Sequence, residues 1–314
     1  TARVGRDGAG LIDWEYTQAG PKVQRGFHFS TRLPILPLMR SAALLLLLSH
    51  FANAALAQSD STAVTFFPDR SAFLPFIAHH EEPRMALQQE LGSSRLRISI
   101  GAGMDVLQYT SGQDTMRWGA EMCAYALSST IQGVLFKIAA ADGLFGMHVT
   151  YTNDSPWSAR FRAVHLSAHL VDGSYDLGSK SWSGGREPFN YTRNYGEVAV
   201  AYSWQGTSLG ARLYTGISYA VWVRPKAIRP LSTLHGVEIT SRSALSWYLA
   251  YNFSVLGIPA ITGSNNVEAG VRFGQARGAG VRFSLNYYNG LEVFGALFDR
   301  RVTYAGAGAA LELP

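Results

Sequence analysis

The stretch LGARLYTGISYAVWV, residues 209–223, alternates between two kinds of side chain. One face carries apolar residues such as Leu213 and Ile217, and the other carries small or polar residues such as Arg212 and Ser218. Successive side chains of a β-strand point to opposite faces, so the stretch predicts a strand with two chemically different faces. A soluble sandwich usually buries an apolar face and exposes a charged one. The mixture of glycine, serine and isolated charges here favours a β-barrel in a membrane, with its apolar face toward lipid.

Three later segments, 245–255, 267–274 and 281–287, repeat this alternation. A tilted transmembrane strand needs segments of about ten residues. The pattern therefore predicts an all-β fold, a closed antiparallel transmembrane β-barrel of about 12 strands, within a range of roughly 10 to 14. The predicted strands are 95–108, 115–126, 132–139, 144–153, 158–171, 194–204, 208–223, 243–255, 266–274, 279–288, 291–298 and 302–313. Asn289-Gly290 predicts a hairpin turn, and the long connections 172–193 and 224–242 are expected outside the cell.

The composition excludes several other classes of protein. Of 314 residues, 47% are hydrophobic and 16% charged, 32 are glycine and one is cysteine. A disordered chain has more charge and fewer aromatic residues, a disulfide scaffold needs paired cysteines, and a helical membrane protein needs repeated apolar runs of about 20 residues. A mean hydropathy near zero fits a barrel, because its hydrophobicity is spread over alternate positions.

The start of the chain carries an export signal. An apolar run with five consecutive leucines follows Arg40, and Ala57 before Gln58 completes an A-x-A pattern. A basic residue, a short apolar run and such a pattern predict a signal peptide over 39–57, cleaved between these two residues, and hence the bacterial outer membrane as the location. A buried helix or a membrane anchor is the alternative. Residues 1–38 are interpreted as an upstream extension that is not part of the working protein.

The remaining chain divides into a periplasmic leader, 58–93, and the barrel, 94–314. These residues together keep 21 basic and 19 acidic side chains, which argues against a nucleic-acid partner, because that needs a basic stripe. The leader contains adjacent histidines, His79 and His80, but adjacent side chains in an extended segment diverge, so we predict no metal and no other cofactor. We expect the leader to pack on the barrel mouth or inside it as a plug. Its apolar anchors are Phe66, Phe67, Phe73, Phe76 and Ile77.

One row of side chains contains residue types that act in nucleophilic catalysis. His165, Ser167 and His169 share a face because they are spaced two apart on a predicted strand. A histidine acts as general base for a serine nucleophile when a third group orients it. The candidates for that third group are Asp172, Asn190 and Asn194. The row supports the hypothesis of a lipid or lipopolysaccharide acyl hydrolase, with Ser167 as nucleophile and His165 as base.

The neighbouring positions argue for an interior row instead. Val164, Leu166 and Ala168 are better lipid-facing residues, so the row is predicted to face the lumen, although Arg160 and Arg162 share their parity. An interior row favours a non-enzymatic barrel that serves structure, solute passage or surface interaction. We expect a monomer or a small homo-oligomer, and outer-membrane lipid and lipopolysaccharide as its contacts. Ion pairs would brace its interior. The predicted lumenal cluster is His165, Ser167, His169, Arg193, Glu197, Arg212, Glu268 and Arg272.

Three stretches resemble an uncharacterised bacterial outer-membrane family, domain of unknown function 1207. They are Phe66-Phe67-Pro68-Asp69-Arg70, the stretch from His165 to Asp172, and Tyr287-Tyr288-Asn289-Gly290. The resemblance covers about residues 64–313 and implies an outer-membrane barrel without an assigned activity. Val171 and Gly173 depart from the family's pattern, which has glycine and glutamate at these positions.

Overall fold

The computed structural model describes residues 62–131, 135–185, 187–243, 245–258, 260–274 and 278–313. The predicted signal peptide and its cleavage site, Ala57 and Gln58, lie outside these residues. The strands are β1 (Thr62–Phe66), β2 (Met85–Glu90), β3 (Arg95–Ser111), β4 (Asp114–Ile131), β5 (Leu135–Thr152), β6 (Trp157–Leu170), β7 (Tyr175–Asp176), β8 (Ser181–Trp182), β9 (Tyr191–Gln205), β10 (Leu209–Arg224), β11 (Leu231–Ser241), β12 (Leu245–Ile258), β13 (Ala260–Gly274), β14 (Gly280–Leu291) and β15 (Arg301–Glu312). Short 3₁₀ turns cover Asp172–Ser174, Ser183–Gly185 and Gly295–Leu297.

Twelve strands close into one barrel. Strands β2 to β6 and β9 to β15 each pair antiparallel with the next, and β15 pairs with β2 to close the ring. This confirms the predicted all-β, closed antiparallel barrel of twelve strands. A closed ring leaves no unpaired sheet edge, which is what the hydrocarbon core of a membrane requires. In the described ranges, no helix is long and apolar enough to cross a membrane.

The strand count is right although several individual strands are not. The described parts of the predicted strands 132–139 and 144–153 belong to one strand, β5. Most of the predicted strand 291–298 is a loop that contains a 3₁₀ turn. Two wall strands, β2 and β11, were not among the predicted ones. These errors cancel in the total.

The outer surface of the barrel is apolar along most strands. On β10, Leu213 and Ile217 are exposed, whereas Gly216 and Ser218, on either side of Ile217, are buried. Strands β12 and β14 alternate in the same way, with Leu249 among the exposed residues. The alternation that predicts these strands therefore also gives the correct outward face.

The two ends of the barrel differ in their connections. At the end that we call the turn end, short turns join β3 to β4, β5 to β6, β9 to β10 and β11 to β12, and β15 finishes. At the opposite loop end, long connections span 171–190 and 292–300. Asn289 and Gly290 lie inside β14, opposite strand residues of β15, so the predicted hairpin turn there is wrong.

Residues 67–84 leave the wall and enter the barrel. Strand β1 pairs with Leu107–Ser111 of β3, and β2 pairs with Leu96–Ser99, so both lie along the same edge of β3. The chain between them is longer than this gap requires and folds inward, where the Phe76 side chain is completely buried. We call residues 67–84 the inner segment.

Candidate functional site

Aromatic packing holds the inner segment against the wall. The ring of Phe76 stacks on Tyr214 of β10 with centroids 3.8 Å apart, and Phe73 meets Phe76 edge-on at 5.4 Å. Arg212 lies beside these rings, 5.0 Å from the Phe76 centroid, and donates a hydrogen bond to the Leu74 carbonyl at 2.9 Å. Stacking and cation-π contact both favour this docked position.

Two glutamates of the inner segment pair with arginines of the wall. Glu81 accepts hydrogen bonds from Arg193 Nη1 at 2.8 Å and from the Tyr195 hydroxyl at 2.7 Å. Glu82, which is fully buried, accepts one from Arg160 Nη1 at 2.9 Å. Removing either partner would leave an uncompensated buried charge, which is costly. The pairs therefore fix the segment in position.

The protonation states of the inner segment follow from these contacts. Burial opposes ionisation of Glu81 and Glu82, but the charges of Arg193 and Arg160 outweigh it and hold the pKa of each carboxyl well below its usual range. Burial also lowers the pKa of His80 to about 3, although the Glu81 carboxylate lies 3.8 Å from its Nε2. At neutral pH the segment is thus docked with both glutamates ionised and His80 neutral.

Acidification from pH 7 to pH 5 will weaken the folded barrel through His80. An unfolded histidine titrates at about 6.5, so the unfolded chain takes up a proton in this window while folded His80 does not, and stability falls as pH drops. The stabilisation from Glu81 and Glu82 is lost only below the ordinary carboxyl pKa of about 4.3. We expect a lower urea midpoint at pH 5 than at pH 7, and a smaller difference in His80→Asn. The same pH dependence in both proteins would contradict the assignment.

Arg162 is the centre of the charge network inside the wall. Its side chain is completely buried and donates to Glu197 through Nε at 2.9 Å and Nη2 at 3.0 Å, and its Nη1 lies 3.4 Å from Glu121. Other pairs join Arg97 with Glu90 and Glu292, Arg117 and His148 with Asp105, Arg212 with Glu238, Arg272 with Glu312, and Arg282 with Glu268 and Glu312. The structure thus places five of the predicted lumenal residues inside, each in an ion pair. They are Arg193, Glu197, Arg212, Glu268 and Arg272.

The row His165, Ser167 and His169 lies on the outer surface of the barrel, so its predicted lumenal position is wrong. The buried residues of β6 are Arg160, Arg162, Val164, Leu166 and Ala168. The two arginines need carboxylate partners, which lie inside the barrel. Beside the loop-end half of β6 the interior is apolar, and the buried aliphatic residues of β6 belong to one cluster with Tyr195 and Phe298. Charge pairing and an apolar interior layer together decide which face of β6 turns outward.

Strand pairing places a second polar row beside the first. Asn194 of β9 lies directly opposite His165, and Thr192 lies opposite Ser167. The His165 Nδ1 and Asn194 Oδ1 atoms are 2.6 Å apart. An amide oxygen only accepts hydrogen bonds, so Nδ1 carries a proton, and in the neutral imidazole Nε2 is then the nitrogen with the lone pair. We call these residues the outer polar patch, which consists of His165, Ser167, His169, Thr192 and Asn194.

Asn194 is the one of the three candidates that orients His165. Asn190 precedes β9 and is exposed, and the side chain of Asp172 lies outside the described part of the chain. No hydrogen bond between Ser167 and His165 occurs among the described residues. The patch therefore holds an oriented base, with a hydroxyl two residues along the same face of the strand.

The adjacent histidines of the inner segment lie beside the glutamates that pair with the wall. The rings of His79 and His80 are 5.2 Å apart and tilted, and Glu82 is engaged by Arg160. Nowhere in the described ranges do three or more His, Cys, Asp and Glu side chains group in a way that could hold a metal ion. These residues instead fix the inner segment.

Comparison with known proteins gives one family match and several distantly similar solved structures. A family model described as Protein of unknown function (DUF1207) matches residues 97–313, whereas no curated protein matches the chain. Outer membrane phospholipase A from Escherichia coli is similar at 10% identity and a TM-score of 0.45, covering 77% of this chain and 95% of that one. The beta domain of the Bordetella autotransporter BrkA is similar at 11% identity and a TM-score of 0.41, with 72% and 94% covered. OmpT of Vibrio cholerae follows at 13% identity and a TM-score of 0.35, with 81% and 98% covered.

Proposed function

The chain belongs to the family described as Protein of unknown function (DUF1207), and from this premise we propose that it is an outer-membrane barrel with a closed interior and a structural or surface-interaction role. A signal peptide over residues 39–57 exports it in a Gram-negative bacterium. The turn end lies in the periplasm and the loop end outside, because bacterial barrels have short periplasmic turns and longer outer loops. As a monomer or small homo-oligomer, it contacts outer-membrane lipid and lipopolysaccharide.

The observation that carries this proposal is the path of the inner segment across the lumen. Besides its pairs with β6 and β9, its backbone is hydrogen-bonded by Asp105 of β3, Glu238 of β11 and Asn266 of β13, at 3.0, 2.7 and 2.8 Å. These strands lie on different sides of the ring. A segment tied to strands all round the barrel supports a blocked lumen, in contrast to the water-filled interior of a porin.

Planar-bilayer recording tests the closed interior. We expect the refolded protein to insert, as judged by protease protection of the barrel in vesicles, without giving steady single-channel conductance in a simple potassium chloride solution. A barrel of general porin type, refolded in the same way, serves as the positive control. Steady open channels from the native chain would refute a closed barrel and favour solute passage.

The outer polar patch supports a second candidate function, a lipid or lipopolysaccharide acyl hydrolase. Polar side chains that face lipid are costly and commonly mark function. In this mechanism Ser167 Oγ attacks an acyl ester carbonyl, and His165 Nε2 takes its proton and passes it to the leaving alcohol. Water then hydrolyses the acyl-serine and releases a fatty acid. Asn194 holds the imidazole in the tautomer that this sequence needs, as its 2.6 Å contact with Nδ1 indicates.

The hydrolase is tested with refolded protein in mixed micelles of phospholipid or lipid A. If the native chain releases fatty acid, Ser167→Ala will reduce the rate by at least about 10³-fold, because the nucleophile is lost. Asn194→Ala will reduce it less. His235→Ala is the matched control, since His235 is also exposed on the outer surface and hydrogen-bonded to a wall residue, Thr215. No release above background, or equal release by Ser167→Ala, would exclude the hydrolase.

A further inference from the structure

A large cavity lies inside the barrel between the inner segment and the turn end. Its volume is about 1040 Å³, and its lining combines residues of the inner segment, such as Arg70 and Phe76, with wall residues at the strand ends, such as Gln205 and Arg242. Because these strand ends belong to the turn end, the cavity opens there. We call it the turn-end cavity. Its size is at the upper limit of small-molecule sites.

Positive charge predominates in the lining of the turn-end cavity. The charged residues are Arg70, Arg84, Arg160, Arg212, Arg242, Arg272, Arg282, Glu82, Glu121, Glu238 and Glu312. Four of the arginines pair with carboxylates, but Arg70, Arg84 and Arg242 have no carboxylate within 4.0 Å in the described part of the chain. Arg84 donates only to backbone carbonyls of the inner segment, and Arg242 donates to the Gly206 carbonyl. The lining thus carries an excess of cationic groups, with Arg70 and Arg242 exposed near its mouth.

Three buried groups on residues of the same lining make no hydrogen bond to the described residues, although Arg282 Nε lies 3.5 Å from Glu268 Oε1 in an ion pair. They are the Thr150 hydroxyl, Arg160 Nε and Arg282 Nε, on side chains that are at most 7% exposed. A buried polar group without a hydrogen bond is costly, so it calls for an acceptor such as water or a ligand oxygen. Two of these groups can only donate, and their residues line the same cavity as the arginines that have no carboxylate partner.

We propose that the turn-end cavity binds a small soluble anion with several phosphate or carboxylate oxygens, which enters from the turn end. Exposed arginines at the mouth of a low-dielectric cleft concentrate anions near it. Guanidinium groups recognise carboxylate and phosphate with paired hydrogen bonds. The inner segment forms the floor of this site, so an anion can bind without crossing the membrane. The site goes beyond the proposed closed barrel and requires no open channel.

Isothermal titration of the refolded full chain in detergent, with pyrophosphate and with citrate as separate probes, tests the site. We expect saturable binding of at least one probe, weakening as sodium chloride is raised, and no binding of spermine. Binding of pyrophosphate alone assigns the site to phosphate compounds, and binding of citrate alone assigns it to polycarboxylates. Both results support an anion site.

Two variants connect binding to the cavity. Arg70→Gln combined with Arg242→Gln should weaken binding at least tenfold without changing folding, because both side chains are exposed. Lys226→Gln combined with Arg229→Gln removes the same charge at the loop end and should leave affinity unchanged. The absence of saturable binding of both probes, or equal weakening by the two double variants, would overturn the proposal.

Discussion

A barrel whose inner segment is replaced by a short flexible linker will conduct ions steadily, whereas the native barrel will not. Strands β1 and β2 meet β3 eight residues apart, between Leu107 and Ser99, a distance of about 26 Å at roughly 3.3 Å per strand residue. A Gly/Ser linker of about 12 residues reaches roughly 40 Å and therefore spans this gap. The linker is too short and too polar to fill the lumen as residues 67–84 do.

The change in conductance should be the largest functional effect of any variant of the inner segment. The linker removes the Phe76 stack and the carboxylates of Glu81 and Glu82, which bind the wall. The arginines left in the wall then face water, which makes the new channel prefer anions. Planar-bilayer recording measures both the conductance and its ion selectivity.

The control for this experiment carries the same linker in a different place. Insertion after Leu177, which is highly exposed in the long connection between β6 and β9, should leave the barrel silent. Both proteins must show the folded gel mobility before they are compared. A linker variant that folds but remains silent would mean that the wall side chains alone close the lumen.

The sequence predicts the barrel because lipid contact imposes alternation over many residues. It predicts strand boundaries less well where that alternation weakens. Strand β5 has Ala139 to Ala141 followed by Asp142 and Gly143 at its centre, and the register shifts near Ala140 where it pairs with β4. Strand β11 carries His235 on its outer face, so its apolar face is interrupted. Without knowledge of the adjacent strands, neither β5 nor β11 can be recognised as one continuous strand.

The orientation of β6 shows why the candidate site is harder to predict than the fold. Residue polarity alone puts Val164 and Leu166 toward lipid, but they fill an apolar layer inside the barrel. Within β6, the only sign that Val164 and Leu166 face the interior is that Arg160 and Arg162 lie on the same face of the strand. The partner of Arg160, Glu82, lies 78 residues earlier in the chain, and the partners of Arg162, Glu121 and Glu197, lie on other strands. The interactions that decide the register are therefore not visible in the strand itself.

The hydrogen bond between His165 and Asn194 likewise cannot be predicted from the sequence. It depends on the pairing register of β6 and β9 across a connection of about twenty residues. Spacing along β6 identifies His165 and Ser167 as neighbours, but three residues remain as possible third members. Only the register singles out Asn194.

Replacement of the completely buried Arg162 by methionine should destabilise the barrel by about 3–5 kcal/mol, the usual cost of removing one partner from a buried ion pair. Methionine fills a similar volume, so the loss is mainly electrostatic. Glu197 would lose both of its hydrogen bonds from Arg162 and keep only the contact with Arg160 Nη2 at 3.5 Å, and Glu121 would lose its contact at 3.4 Å. Both glutamates are buried. Reversible urea unfolding in lipid vesicles, followed by tryptophan fluorescence, measures the change in free energy of unfolding.

The double variant Arg162→Met with Glu197→Gln distinguishes lost charge pairing from lost packing. A neutral amide is cheaper to bury than an unpaired carboxylate, so the second substitution should restore part of the stability lost in the first. Arg229→Met, at an exposed position near the loop end, should change stability by less than about 0.5 kcal/mol. If Arg162→Met cost no more than this exposed control, the Arg162 network would not stabilise the barrel. If the double variant were less stable than Arg162→Met, an uncompensated Glu197 charge would not be the cause of the loss, because Glu197 would still be compensated by Arg160 Nη2 at 3.5 Å.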